Sequence, residues 1–395
     1  MTGRKSPPRS ETEGNFVAEF FGHRVWPFVD DSQEAVKNQS SSLCPFLSGA
    51  TAGPTSCSKS ARGFEGATGV CVVSSDSNDG KRQDWLACPY RTLDATFTLL
   101  LASVRTAYGV QCGDEILVLP VTVLHLKNKR REVAAALAAG QRVFAFSGTN
   151  TGGEVDIPET EVSPGGKVDV SVMEVLRLSD KTGEPEEFGR HMFYEIQTAD
   201  FHGSPLHAVR KLREMLPTKA ERDYHRALKS KMHVAGDSVE GPNKANIFKR
   251  TVYQLIMKIQ LSEHETCAGF VLILPVPVWD SWIRHLGKPH LAEVKSDEGH
   301  YMQLVTPADR DNKVLAPVRA WIFVFDIDRE SKESPQPLKL VLRVATTSTA
   351  LIHYTFQEAA EQAMAQGVIE KFRAVMKSRV AEGWKGLRPD QRGKP

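Results

Sequence analysis

The chain has 395 residues, 50 Lys and Arg against 48 Asp and Glu, and a formal charge of +2, so overall charge neither supports nor excludes a polyanionic partner and the local distribution has to decide. Hydrophobic residues at 41% and charged residues at 25% are ordinary globular values, enough for a buried core in one large domain or two modest ones. No stretch approaches the ~18 apolar residues of a membrane helix, and the opening MTGRKSPPRSETEG lacks the apolar core of a secretion signal, which sets the expectation of a soluble, cytoplasmic protein.

Residues 1–14 are polar and Pro-containing, and are expected to be disordered. NFVAEFFGHRVWPFV, from Asn15 to Val29, is compact and apolar. Between Leu43 and Pro89 short apolar runs are broken by Gly, Ser, Thr and Asn with no helical stripe. Such a segment is expected to be unable to build its own core and to need a metal staple. A boundary near Tyr90 follows. Periodicity then predicts a helix over Leu93–Tyr108, a strand over Glu115–Val121, an Ala-rich helix over Lys129–Ala139 and a strand over Arg142–Ser147, a βαβ unit. Strands are expected at Glu154–Ile157, Val168–Leu178 and His191–Thr198. Helices follow at Pro205–Leu216, Ala220–Met232 and Lys244–Leu261, the last opened by a Gly-Pro-Asn cap. Further strands are expected at Gly269–Leu274, Tyr301–Val305, Arg319–Asp326 and Leu338–Val344, and a final helix over Phe356–Arg379. The pattern is α/β, a mixed central sheet with helices on its faces.

In RHMFYEIQTADFHGSPLHAV, Glu195 and Gln197 stand two residues apart on a strand, so both project to one face. The preceding apolar strand VDVSVMEVLRL carries Asp169 near its start, and Glu154 lies 15 residues before Asp169 in GGEVDI. Hydrolysing a phosphodiester requires stabilising charge on a five-coordinate phosphorus, and hard divalent cations held by carboxylates do this. Asp169 and Glu195 are therefore candidate magnesium ligands, with Glu154 as a supporting acid. Gln197 can orient a water but cannot exchange a proton at neutral pH, which leaves general-base duty to metal-bound hydroxide or another group. Taken alone, an Asp and an ExQ pair fit a solvated sheet edge as well.

Four of the six cysteines, Cys44, Cys57, Cys71 and Cys88, fall within 45 residues, separated by 12, 13 and 16 others. That clustering favours a metal, yet the spacing lacks the close CxxC pairs of zinc ribbons and fits buried structural thiols equally well. A four-thiolate site would be structural, and sequence does not separate zinc from iron. His202 and His207 follow the ExQ strand, where they could touch a phosphate or simply pack. Lys249 and Arg250 open a helix whose first turn could hold a phosphate. Eight Lys or Arg between Arg210 and Lys231 face three acids, and KNKRR at Lys127 and the tail beyond Lys371 are also basic. Each run alone fits a solvated face.

Longer stretches carry more information: NFVAEFFGHRVWP at Asn15, CPFL at Cys44, GVCVVS at Gly69, DWLACP at Asp84, EIQTADFHGS at Glu195, EGPNKANIFKRTVYQ at Glu240 and AWIFVFDID at Ala320. Together they resemble the NotI-like type II restriction endonucleases, which read a GC-only eight-base palindrome, over most of residues 15–330. The resemblance implies a PD-(D/E)xK nuclease core preceded by an iron-binding domain. It places Asp169, Glu195 and Gln197 on the active-site positions, Glu154 on an extra acid, and Cys44, Cys57, Cys71 and Cys88 on the iron ligands. The missing lysine is then a trait of the family. SDKTGEPEEFG, between Asp169 and Glu195, is longer than the pattern, and the chain beyond about residue 345 departs from it.

The expectation is thus a disordered start (1–14), a four-cysteine metal-binding domain (15–90), a PD-(D/E)xK endonuclease domain (91–380) and a basic tail (381–395). The chain would be a homodimer in a prokaryotic cytoplasm, cutting a GC-rich palindrome in double-stranded DNA with magnesium, one strand per subunit. Iron, or zinc, would sit in the four-cysteine site, and the class implies a cognate methyltransferase. Arg and Lys side chains would read guanine edges, with His202, Arg210, Lys249 and Arg250 as candidate DNA contacts. The alternatives are a metal-stapled DNA-binding protein that does not cut, and another nuclease of this fold acting in repair or on modified DNA.

Overall fold

The computed structural model describes residues 14–381, other than 52, 77–81, 162–164, 200, 202–204, 217–220, 237–238, 288, 297–298, 313–317 and 366. Apart from residues 14 and 381, the expected disordered start and the basic tail lie outside these residues.

The N-terminal segment forms a four-stranded antiparallel sheet from β1 (Phe16–Phe20), β2 (His23–Arg24), β3 (Val70–Asp76) and β4 (Arg82–Leu86), in the order β2-β1-β3-β4. Helices α1 (Gln33–Ser40) and α2 (Pro45–Gly49) lie in the connection between β2 and β3. Residues 43–89 share their core with the rest of the chain. Phe16, Val17, Phe20, Phe21, Val70 and Val73 pack with Ala208, Val209, Leu212 and Leu228 in one buried cluster. Every residue of β1 is buried, so the strand has no apolar-polar alternation by which to read it.

From residue 98 the elements run α3 (Thr98–Tyr108), β5 (Ile116–Pro120), α4 (Lys127–Ala138), β6 (Arg142–Gly148), β7 (Val155–Ile157), β8 (Gly166–Val168), β9 (Val170–Leu178) and β10 (Pro185–Ile196). Next come α5 (Leu206–Glu214), α6 (Glu221–Ser230), α7 (Lys244–Ser262), β11 (Cys267–Pro275), α8 (Val276–His285), β12 (Leu291–Ser296), β13 (Gly299–Leu304) and α9 (Pro307–Asn312). The chain continues through β14 (Ala320–Ile327), β15 (Leu338–Thr346), α10 (Ser348–Ile352), α11 (Ala359–Ala365) and α12 (Val368–Ala381). The central sheet has nine strands in the order β12-β13-β15-β14-β11-β10-β9-β6-β5, with β7 and β8 paired separately. It is mixed: β5/β6, β10/β11, β11/β14 and β13/β15 are parallel, the other neighbours antiparallel. The expected βαβ unit is β5-α4-β6, with β5 and β6 parallel.

Alternation along the central strands decides what each helix touches. Val271, Ile273, Met192 and Tyr194 face α3, packing with Leu99, Leu100 and Val104. Phe270, Leu272 and Leu274 face the other way, onto Phe248, Leu255 and Ile259 of α7 and Trp282 of α8. Phe193 shares that second side, so Glu195, two residues on, projects toward α7.

Three expectations are revised. The strand expected at His191 begins at Pro185, so PEEFG is strand and only Ser179 to Glu184 form the turn, closed by Ser179 N–H donating to the Glu184 carbonyl at 2.8 Å. The helix expected over Phe356–Arg379 is split: Gly367, at φ +75°, separates α11 from α12, a backbone conformation that a helix cannot continue through and that glycine adopts without strain. Asn243 precedes α7 as expected, but its side chain makes no capping hydrogen bond. Strand β12 and helix α8 were not anticipated. Among the described residues no helix is long and apolar enough to cross a membrane.

Candidate active site

Asp169 occupies a bend between β8 and β9, and Glu195 is the penultimate residue of β10. Val170 pairs with Tyr194 across the antiparallel β9-β10 ladder, so the residues one step outward, Asp169 and Glu195, are neighbours. Each carboxylate is fixed by the other's strand: the Asp169 N–H donates to Glu195 Oε1 at 3.1 Å, and the Ile196 N–H donates to Asp169 Oδ2 at 2.9 Å. Gln197 lies just beyond β10, its N–H donating to the Ile273 carbonyl at 2.9 Å. Its amide is held at both ends, Oε1 accepting from Thr251 Oγ at 2.7 Å and Nε2 donating to the Thr198 carbonyl at 2.9 Å. Glu154 precedes β7, accepts from the Thr149 hydroxyl, and lies 3.7 Å from Lys167 Nζ on β8. Asp169, Glu195, Gln197 and Glu154 all line one cleft of about 680 Å³, whose remaining walls come mainly from β8 and α7, with Leu272 of β11.

Sequence reasoning missed one group in this cleft. Lys258, on α7, places Nζ 2.6 Å from Glu195 Oε2, with its side chain 6% exposed. Thr251, Gln254 and Lys258 follow at i, i+3 and i+7 along one face of the helix, while Phe248, Val252, Leu255 and Ile259 hold the other face in the core. The available signal was a lysine inside the apolar run LIMKIQL.

Burial and the adjoining Asp169 carboxylate push Glu195 up to about 7, against the pull of Lys258 and the hydrogen bonds it accepts. Burial also raises Asp169, opposed by the Ile196 N–H and Lys258 and reinforced by Glu154. Two carboxylates that resist ionising together in a partly desolvated cleft are the donor set a hard divalent cation relieves. Their chemistry fits magnesium.

The four clustered cysteines are all free thiols. Cys44, Cys71 and Cys88 are buried and Cys57 is half-buried. Cys44 precedes α2, with its sulfur accepting from the Leu47 N–H at 3.5 Å. Cys71 lies on β3, and Cys88 follows β4, immediately before a single 3-10 turn at Pro89–Thr92. Burial pushes Cys44 up to about 12 and raises Cys71 and Cys88, and negative charge on neighbouring sulfurs adds to each rise. Thiolates in that setting need a cation, so the donor set fits one soft or borderline metal. Among the described residues, no three His, Cys, Asp or Glu side chains stand ready-gathered for a metal.

The remaining candidates separate from the cleft or fall outside the description. Arg210 is exposed on α5 with its guanidinium 6.0 Å from the Phe64 ring, and does not line the cleft. His207 is exposed on the same helix. His202 lies outside the described residues, and Lys249 and Arg250 fall on α7 with side chains outside the described ones. No protein-family model matches the chain, and no curated protein matches it.

Proposed function

We propose that the chain is a magnesium-dependent type II restriction endonuclease with a PD-(D/E)xK core, acting as a homodimer on a GC-rich palindrome in double-stranded DNA. One observation carries this reading: Asp169, in the bend that opens β9, and Glu195, near the end of the adjacent β10, each hydrogen-bond the backbone beside the other in a cleft that also holds Gln197 and Glu154. Asp169 and Glu195 would hold the metal. A magnesium ion there would supply Lewis-acid stabilisation of the phosphate charge and a more acidic water. Gln197, clamped by Thr251, presents a fixed amide dipole to orient the attacking water, and Glu154 adds negative charge beside Asp169. The sulfur cluster of Cys44, Cys57, Cys71 and Cys88 would hold structural iron or zinc and shape the N-terminal sheet beside the DNA. Two-fold symmetry of a dimer would match that of the palindrome, each subunit cutting one strand.

The test is incubation of a GC-rich plasmid with magnesium, comparing wild type with Asp169→Ala. Discrete fragments from wild type, with DNA bound but uncut by the variant, are expected. A sequence-indifferent smear would favour a nuclease of the same fold acting in repair or on modified DNA. Intact DNA at every magnesium concentration would leave a DNA-binding protein without cleavage.

A further inference from the structure

The structure assigns to Lys258 a role that nothing in the Glu195-Gln197 strand can fill: we propose that its ammonium is the fixed cation that grips a non-bridging oxygen of the scissile phosphate and balances Glu195. This rests on the nuclease reading. Lysine is among the residues least often buried, and among the described residues Lys258 is the lysine that is buried. A buried ion pair is weak evidence of stabilisation in itself, because desolvation of both charges offsets their attraction. Where such a pair lies therefore matters. Arg91 with Glu19, more deeply buried still, is further bonded to Gln336 and does not line the cleft described above. Lys258, by contrast, sits in the wall of the cleft that holds Asp169, Glu195 and Gln197.

An ammonium carries three N–H donors, and Glu195 Oε2 takes one of them at 2.6 Å. The strand alternation that aims Glu195 at α7 also aims Gln197 there, where Thr251 holds it one face-repeat up the helix from Lys258. Glu195 and Gln197 on the sheet, and Thr251 and Lys258 on the helix, therefore bound one slot. Within it the only described positive side chains are Lys258 and the largely exposed Lys167. A dianionic transition state placed against Asp169 and Glu195 needs a cation of fixed position, and a buried one reorganises least when charge develops. In the step itself the water oxygen forms a bond to phosphorus. The bond from phosphorus to the leaving deoxyribose oxygen breaks with its electron pair, the water's proton passes to solvent, and the leaving oxygen takes a proton from solvent. Lys258 stays charged throughout and exchanges no proton.

The experiment compares wild type, Lys258→Gln and Lys258→Arg by single-turnover cleavage in magnesium, by DNA affinity in calcium, and by titration with manganese alone after dialysis that removes magnesium and leaves any cysteine-bound metal in place. Lys258→Gln is expected to cut about a hundredfold more slowly, to bind DNA in calcium within about threefold of wild type, and to bind manganese more tightly, because a like charge beside the carboxylates has gone. Lys258→Arg is expected to keep wild-type manganese affinity and cut faster than Lys258→Gln. Cleavage by Lys258→Gln within about threefold of wild type overturns the proposal and leaves the nuclease reading intact. Equal losses of cutting, DNA affinity and manganese affinity also overturn it, since they mark a purely structural pair. Should Lys258→Gln not fold, Lys258→Met, matched to the apolar run around it, is held to the same outcomes. Wild type that neither cuts nor binds manganese removes the nuclease reading and this role with it.

Discussion

Gly148 and Asp169 are packed backbone to backbone: a Cβ on Gly148 would stand 2.6 Å from the Asp169 carbonyl oxygen and 3.0 Å from Val170 Cγ2. Gly148 ends β6 and pairs with Val170 at the start of β9, so the close approach falls where β9 turns Asp169 into the cleft. The neighbour is backbone held in a ladder, which cannot rotate aside as a side chain can. Gly148→Ala is expected to cost about 1–3 kcal/mol by overpacking. Its effect on cleavage should be larger, about a hundredfold, because a shift near 1 Å in a ligand-bearing segment degrades a positioned reaction. Gly49→Ala, with nothing within 4 Å, serves as the control. Denaturant melts and single-turnover rates on both variants check this, and equal behaviour of the two would contradict it.

Arg91 and Glu19 tie the cysteine-bearing segment to the central sheet. Arg91 Nε lies 2.7 Å from Glu19 Oε2, and both side chains are essentially inaccessible. Arg91 also donates to the Gln336 carbonyl, and the Gln336 N–H donates to Glu19 Oε1 at 2.8 Å. Strand β1, the turn after Cys88 and the β14-β15 connection therefore meet at one carboxylate. Arg91→Met strands that charge without its partner, which is expected to cost about 3–5 kcal/mol. The loss is read from the shift in denaturant midpoint. Glu19→Gln together with Arg91→Met should recover part of it, because the uncompensated charge is then gone.

Thr251 orients Gln197, whose Oε1 it donates to at 2.7 Å. Thr251→Val keeps the side chain's shape and removes that donor. Cleavage is expected to fall about tenfold, in the range typical of groups that orient a ligand or catalytic side chain. Stability should change by no more than about 1 kcal/mol, the net worth of one hydrogen bond. A variant that loses stability but cuts at the wild-type rate would show that Gln197 does not need its clamp.

What the sequence made legible follows from how each element is buried. Helices and strands with one solvated face, such as α4 and β9, show their period and were located within a few residues. Strands enclosed on both sides, as β1 and β3 are, show none, and the N-terminal sheet was therefore not foreseen. The pairing of Asp169 with Glu195 is readable because they lie at the outer ends of two consecutive strands, and antiparallel neighbours bring such ends together. Lys258 was not readable in that way. Its distance from Glu195 is set by which face of β10 meets α7, a tertiary fact that a lysine in an apolar run only hints at.

Asp30 should give the protein an acid-sensitive latch. Burial alone would raise its carboxyl, but hydrogen bonds from His23, Ser334 and Ser32 outweigh that and hold it well below the ordinary carboxylate value of 3.8. His23 Nδ1 is 2.7 Å from Asp30 Oδ2. A carboxylate with a folded pKa below its unfolded one adds stability that is fully present above the unfolded value and is lost as pH falls through the folded value. Wild type is therefore expected to lose this contribution only below about pH 4. Asp30→Asn should be less stable at neutral pH and show a flatter acid limb. Midpoints at about pH 7 and about pH 2 decide it: a deficit of the same size at both would exclude the latch.

The cysteine segment reaches the candidate site through the two residues after Cys88. Pro89 and Tyr90 join Leu93, Gly148, Glu154 and Asp169 around a small cavity of about 80 Å³, and Asn150 Nδ2 donates to the Tyr90 hydroxyl at 2.6 Å. A metal held by Cys44, Cys57, Cys71 and Cys88 would fix where that brace stands. Purified protein is expected to carry about one iron or zinc per chain. Removing it with a chelator and then restoring magnesium should lower both the melting temperature and the cleavage rate, because the brace behind Asp169 loosens while the catalytic ligands are untouched. Cys88→Ser should reproduce both losses, whereas Cys112→Ser, at an exposed thiol outside the cluster, should change neither. A folded, fully active protein without bound iron or zinc would mean that the buried thiols pack as apolar groups and that the N-terminal sheet stands on its aromatic core alone.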